Sequence, residues 1–214
     1  MNAPKFFYFD LGKVLVHFDV DLMCRQMADV AGLAPMRVRE VLFDSRLQHT
    51  YELGKISSRE FYEAFCAQTH TFPSYQALVA AASDIFWPNT SILPLLSELH
   101  SQGRRLGILS NTCEAHWEHC LARFPFLAEL FSVHVLSFRV GALKPEAAIF
   151  QTAAELAGTA PQEIFYTDDI LGHVLGARAA GFDAVQYIST PQLAAELRRR
   201  DTLPLANHAD DALH

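Results

Sequence analysis

Asp10 ends the apolar run Phe6-Phe7-Tyr8-Phe9, and Gly12 follows two positions later. Ser110 and Asn111 close a second apolar run, Leu106-Gly107-Ile108-Leu109. Lys144 sits before Pro145 in a loop that follows a third run, and Asp168-Asp169 ends a fourth. Carboxylate pairs, joined by a backbone carbonyl, bind hard cations such as Mg²⁺ through oxygen. A lysine and a hydroxyl suit the non-bridging oxygens of a phosphoryl group. A carboxylate facing both can attack phosphorus and become an aspartyl phosphate. Phosphoryl transfer needs mainly positioning and charge neutralisation, and this set offers both.

The elements that must position these groups alternate along the chain. Phe6–Phe9 is wholly apolar and reads as a buried parallel strand with function at its C-terminal edge. Val14–Phe18 is a second extended piece. From Asp21 to Ile85 the apolar residues recur at helical spacing: Leu22, Met23, Met27 and Val30, then Val38, Val41 and Leu42, then Phe61, Tyr62, Phe65 and Cys66. Gly32, Gly54 and Pro73 punctuate this all-helical block. After Trp87-Pro88 the pattern predicts a helix over 91–101, a strand over 105–109 and a helix over 114–123. A strand over 133–137, a loop over 139–145 and a helix from Pro145 through Leu156 come next. A strand over 164–166, a helix to Ala180, a strand over 184–187 and a helix over 191–200 complete the series.

Such alternation implies an α/β fold, a Rossmann-like doubly wound parallel sheet. The all-helical block is expected as an insert after the first strand, in the place of the small all-helical cap that the resemblance given below implies. The expected division is a catalytic core of 1–18 with 88–204, a cap of 19–87 and a frayed polar tail of 205–214. Reactive groups then gather at the strand ends, where the strand order reverses.

Composition narrows the function classes. Half of the 214 residues are hydrophobic, which is enough for a core and excludes wholesale disorder. A net charge of −7 and only one short basic cluster, Arg198-Arg199-Arg200, argue against nucleic acid as a partner. No run approaches a membrane span, and the apolar N-terminus is interrupted by Asp10 and Lys13, unlike a secretory leader. The four cysteines form no C-x-x-C pair and read as reduced thiols of a cytoplasmic protein. Cys113, His116 and Cys120 share one helical face, but three ligands on one helix rarely converge on one metal, so packing is their expected role.

The segments FYFDLGKVLV (7–16), ILSNT (108–112), GALKPEAAIF (141–150) and YTDDILGHVLGARAAGF (166–182) stand in an order and at a spacing similar to the four motifs of the haloacid dehalogenase superfamily. The likeness spans residues 1–18 and 88–190. More narrowly, FDLGKVLV, YELGKISSREFYEAF and the paired aspartates resemble the bacterial sugar-phosphate phosphatases related to α-D-glucose-1-phosphate phosphatase. The resemblance implies a Mg²⁺-dependent phosphatase acting on a small phosphorylated metabolite. It makes Asp10 the nucleophile and a metal ligand, with the Gly12 carbonyl, Asp169 and Asp168 completing the metal site. Ser110 and the Asn111 amide bind phosphoryl oxygens, and Lys144 neutralises nucleophile and phosphate.

Two positions depart from the family pattern. Gly12 stands where the family usually has its general acid, an aspartate; the subgroup named above shares this glycine. His17 and Asp19 are the residues expected to compensate. His173 stands where the family often has asparagine, and an imidazole can still donate to a carboxylate. Two rival readings are a 2-haloacid dehalogenase and a non-catalytic member of the fold that binds phosphate or Mg²⁺. The dehalogenases need no metal and carry a motif like D-x-Y-G-T, unlike Gly12-Lys13 and the intact aspartate pair. Gly12 alone supports the second rival. Receiver domains use similar residue types but are shorter, lack a cap and place the acidic pair before the phosphorylated aspartate.

Overall fold

Phe6, Phe7, Tyr8 and Phe9 form strand β1 (Phe6–Phe9), and none of the four is exposed. A strand sealed on both faces needs helices above and below it. The computed structural model describes residues 4–200, 202 and 203. Strand β2 (Val16–Phe18) follows β1 and leads into helices α1 (Val20–Ala31), α2 (Pro35–Arg39), α3 (Leu47–Glu52), α4 (Ser58–Thr69) and α5 (Tyr75–Ser83). A single π-helical turn, Glu40–Asp44, extends α2. Strand β3 (Phe86–Pro88) then pairs antiparallel with β2. Next come α6 (Leu93–Ser101), β4 (Arg105–Ser110), α7 (Glu114–Arg123), α8 (Phe126–Glu129), β5 (Val133–Leu136), α9 (Ser137–Val140) and α10 (Ala147–Ala157). The chain continues with β6 (Ile164–Asp168), α11 (Leu171–Ala179), β7 (Asp183–Gln186) and α12 (Thr190–Arg198).

The main sheet has the order β5-β4-β1-β6-β7, parallel throughout. After β5 the chain crosses to the far side of β1, so the order reverses at the ends of β1 and β6. Strand alternation splits the core in two. Phe7, Phe9, Ile108 and Phe165 face α6, α7 and α12 through Leu96, Leu99, Trp117 and Leu193. Phe6, Tyr8, Leu109 and Tyr166 face α10 and α11 through Ile149, Phe150 and Val174. Each of these large side chains contributes about 1.5–3 kcal/mol by leaving water. This is the doubly wound α/β architecture expected.

The helical block has its own apolar cluster, with Met27, Val38, Leu42, Phe65 and Leu78 at its centre. Its helices begin and end on local signals. Asp19 caps α1 by accepting from the Leu22 N–H at 2.9 Å, and Gly32 ends it at φ 68°. Ser57 and Glu60 form a reciprocal capping box on α4. Hydrogen bonds fasten the block to the sheet layer: Ala115 N donates to the Tyr51 hydroxyl, Ser58 donates to Glu114, and Ser137 Oγ donates to the Glu52 carbonyl at 2.7 Å.

Several elements differ from the sequence expectation. Pro145 lies outside α10, in a cis bond after Lys144, and Glu146 takes the N-cap position without a side-chain cap. Residues 137–140, expected as a strand end and loop, form the short helix α9, closed by Gly141 at φ 75°. β6 runs on to Asp168, and α8, β3 and its pairing with β2 were not anticipated, whereas β2 lies within the extended piece expected over Val14–Phe18. The expected boundaries at 18/19 and 87/88 fall at this ribbon. The tail 205–214 lies outside the described residues.

Candidate active site

The C-terminal ends of β4, β1 and β6 lie side by side, and Asp10, Ser110 and Asp168-Asp169 leave the sheet there. Asp10 N–H donates to the Thr167 carbonyl at 3.0 Å, which extends the β1–β6 ladder by one residue and brings Asp10 beside Asp168. Lys144 reaches the same point from the loop after α9. Asn111 pins that loop: its Oδ1 accepts from Lys144 N at 2.8 Å, and its Nδ2 donates to the Lys144 carbonyl at 3.1 Å. The Asn111 side chain is therefore spent on holding Lys144, a role separate from the one expected of the Asn111 amide.

The Lys144 ammonium is fully buried. It donates to Asp168 Oδ2 at 2.7 Å, the Tyr166 hydroxyl at 3.0 Å and the Leu109 carbonyl at 3.1 Å, and it forms an ion pair with Asp10 Oδ1 at 2.8 Å. Burial lowers its pKa, but the two carboxylates outweigh burial and raise it above the ordinary value. Burial works against ionised Asp168 too, yet Lys144, His173 and Tyr166 together hold its carboxyl well below the usual range. Asp10 is pushed up to about 6 by burial, with Lys144 pulling it down and Asp168 adding to the rise. Burial and the neighbouring Asp168 also raise Asp169. Asp10, Asp168 and Asp169 each place an oxygen within 4.8 Å of the others, an arrangement that repels itself without a cation. Among the described residues this is the one such group of potential metal ligands.

Asp168 Oδ1 also accepts from Ile170 N at 2.8 Å, and His173 Nδ1 lies 3.1 and 3.2 Å from the two Asp168 oxygens. The imidazole thus meets a carboxylate, the role the departure from asparagine left for it. Tyr166, whose hydroxyl donates to Asp168, was missed in the sequence. Its signal was parity: residues two apart on a strand share a face, so 166 and 168 point the same way.

The expected substitutes for the missing acid are placed differently. Asp19 is engaged as the cap of α1 and lies 3.7 Å from Arg25. His17 stands opposite Trp87 in the β2–β3 ribbon and lines an open groove together with Lys13 and Asp169. Gly12 itself is covered: a Cβ there would stand 2.8 Å from the ring of Phe18. Cys113 packs in the helical block's cluster and Cys120 in the sheet's, so the two sulfurs serve different cores.

The family profile of the haloacid dehalogenase-like hydrolases matches residues 7–181. The chain belongs to that family. Among its relatives, a Mycobacterium tuberculosis phosphatase is 33% identical over 91 residues, 42% of each chain. A glyceraldehyde 3-phosphate phosphatase of Methanopyrus kandleri is 31% identical over 119 residues, 55% of this chain and 50% of that one. The matched stretches thus span half or less of those two relatives' lengths. A family enzyme of Bacteroides thetaiotaomicron, solved in complex with magnesium and inorganic phosphate, superposes with a TM-score of 0.78 at 25% identity, covering 86% of this chain and 94% of that one. The L-2-haloacid dehalogenase of Xanthobacter autotrophicus shares the fold at a TM-score of 0.63 and 19% identity, covering 94% and 85%. Among the described residues no helix is long and apolar enough to cross a membrane.

Proposed function

We propose that this hydrolase is a Mg²⁺-dependent phosphatase of small phosphorylated metabolites and that Asp10 is its nucleophile. The observation that carries the reading is the buried Lys144 ammonium bridging Asp10 and Asp168, with Asp169 completing a three-carboxylate cluster. An all-oxygen donor set of this kind fits Mg²⁺, held by Asp10, Asp169, Asp168 and the Gly12 carbonyl. Bound there, the ion would neutralise charge on the phosphoryl oxygens.

The chain's own residues supply the rest. Lys144 keeps Asp10 ionised despite its burial and leaves the carboxylate oriented by a fixed contact. Asp10 attacks phosphorus, a P–O bond to Asp10 forms, and the bond to the leaving oxygen breaks. The leaving oxygen takes a proton from water. Water then attacks phosphorus, Asp10 is released, and inorganic phosphate departs. Ser110 faces the same point and suits a phosphoryl oxygen. A dehalogenase would gain nothing from gathering three carboxylates. A sugar phosphate is the substrate class favoured by the subgroup resemblance and by the Methanopyrus relative. The four cysteines are free and buried, which agrees with a reducing, cytoplasmic setting.

The test is phosphate release from a panel of phosphorylated metabolites. Asp10→Asn should lose nearly all turnover while its thermal melt stays cooperative. EDTA should abolish activity and Mg²⁺ restore it. Full activity in metal-free buffer, or an unchanged rate in Asp10→Asn, overturns the reading.

A further inference from the structure

Between the end of β4 and the helical block lies a cavity of about 100 Å³ that reaches Leu11, Gly12 and Ser110, residues that surround Asp10. Its walls are mostly apolar, with the rings of Phe18, Phe43 and Phe86 among them. Three polar side chains from outside the strand ends interrupt them: Gln48 and Glu52 from α3, and His116 from α7. No lysine or arginine lines it.

The charge balance of this wall is therefore one-sided. The Glu52 carboxylate accepts from Gln48 Nε2 at 2.9 Å, and the Glu52 backbone is tied to Ser137 at 2.7 Å, so the side chain is anchored rather than free to swing away. Burial lifts its carboxyl above the ordinary range, so a donor that reaches it restores solvation that the site removes. His116 adds no positive charge: burial lowers it to about 4, and its Nε2 donates to the Ala82 carbonyl at 3.1 Å. The cations near the site are elsewhere. Lys144 is committed to Asp10 and Asp168. Lys13 lines the open outer groove, which shares only the Phe18 ring with this cavity.

Resting on the phosphatase reading, we propose that this cavity receives the leaving group and that Glu52 sets its chemistry. The group admitted carries a hydrogen-bond donor, a hydroxyl or an ammonium, and no second anion. A carboxylate or second phosphate on the leaving group would face Glu52 in a partly dry site without a counter-ion, a repulsive juxtaposition that discriminates by exclusion. A hydroxyl or ammonium would pair with it.

The experiment compares phosphate esters matched in size and differing in charge: glycerol phosphate with phosphoglycerate, ethanolamine phosphate with phosphoglycolate, glucose phosphate with phosphogluconate. In each pair that is turned over, kcat/KM should favour the neutral or cationic member by about tenfold or more. Glu52→Gln should shrink that ratio by about tenfold, and Glu52→Lys should invert it. The wild-type ratio stands as a test by itself if either variant fails to fold. Equal turnover within the pairs, or a ratio unmoved by Glu52→Gln, overturns the assignment while leaving the phosphatase reading intact. A preference for anionic members that Lys13→Ala removes also overturns it, because the leaving group then sits in the outer groove. So does turnover of p-nitrophenyl phosphate with none of the donor-bearing esters accepted. Absence of Mg²⁺-dependent release from every ester, p-nitrophenyl phosphate included, takes both readings down.

Discussion

Lys144 holds its ammonium 2.8 Å from Asp10 and 2.7 Å from Asp168, with no exposure of its own side chain or of Asp168. A buried pair of this kind adds little net stability, but removing one partner strands the other charges. Lys144→Met keeps the apolar stem and deletes the cation. It should cost about 3–5 kcal/mol in EDTA, because Asp10 and Asp168 then face each other uncompensated. Mg²⁺ should restore a larger share of stability to this variant than to wild type, since it replaces the lost charge. Urea melts with EDTA and with Mg²⁺ measure both. Equal Mg²⁺ effects in the two proteins would mean that the ion does not sit among these carboxylates. Gly12 is constrained in another way. Its missing side chain leaves room for the Phe18 ring, which would stand 2.8 Å from a Cβ. Gly12→Asp should therefore cost about 1–3 kcal/mol through overpacking. Phe18→Ala should relieve much of that cost, so the double variant should be more stable than the two single losses added together. Strict additivity would show that the ring moves aside freely.

At the scale of elements, Gly54 ties the helical block to the sheet layer. It sits at φ 66° after α3, and a Cβ there would stand 1.9 Å from the Phe138 carbonyl oxygen of α9. Gly32 has nearly the same φ, 68°, with nothing within 4 Å. The pair separates strain from collision. Gly32→Ala should cost about 1 kcal/mol, the penalty of a left-handed backbone alone. Gly54→Ala should cost about 2–4 kcal/mol, because backbone meets backbone and neither element can yield cheaply. Equal losses in urea melts would show that α9 gives way. The same glycine illustrates what the residues disclose. Gly54 is readable as punctuation between helices, but its partner α9 is not, since residues 137–140 follow a strand without any helical period. The five parallel strands were legible because runs such as Phe6–Phe9 are buried on both faces and stop at polar residues. Pro145 misled for a local reason: a proline suits a helix start, yet here it precedes the N-cap position, Glu146, and stays outside the helix. The pairing of β2 with β3 was illegible because the strands are three residues each and pair across the whole helical block.

For the molecule as a whole, the order of the strands decides which distant residues meet. Asp10, Ser110, Lys144 and Asp168-Asp169 could be chosen from the sequence because each follows a strand, and parallel strands end on one edge. Tyr166 was marked only by sharing a strand face with Asp168, and Glu52 by nothing, since it reaches the site only through the packing of α3 against α9. The packing that closes this cleft also buries His116, whose imidazole lies 5.2 Å from the Phe86 ring and donates to Ala82 across the boundary. Burial, with His119 nearby, lowers its pKa from 6.5 to about 4. The unfolded chain therefore takes up a proton there as pH falls below about 6.5, while the fold does not until about 4. Stability from this residue is fully present above the unfolded pKa and is lost as pH falls through that window. Asp10 works in the opposite direction. Its folded pKa of about 6 exceeds the ordinary 3.8, so the fold binds protons more readily there and gains stability as pH drops. Wild-type stability alone mixes the two slopes, and the difference between wild type and His116→Gln isolates one. That difference should change by about 1–2 kcal/mol from about pH 7 to about pH 4.5, wild type losing more. The partial exposure of the ring keeps the change below the full value of the shift. Parallel stability curves for the two proteins would mean that His116 gains its proton in the fold as easily as in water, and that the cleft is wetter than its walls imply.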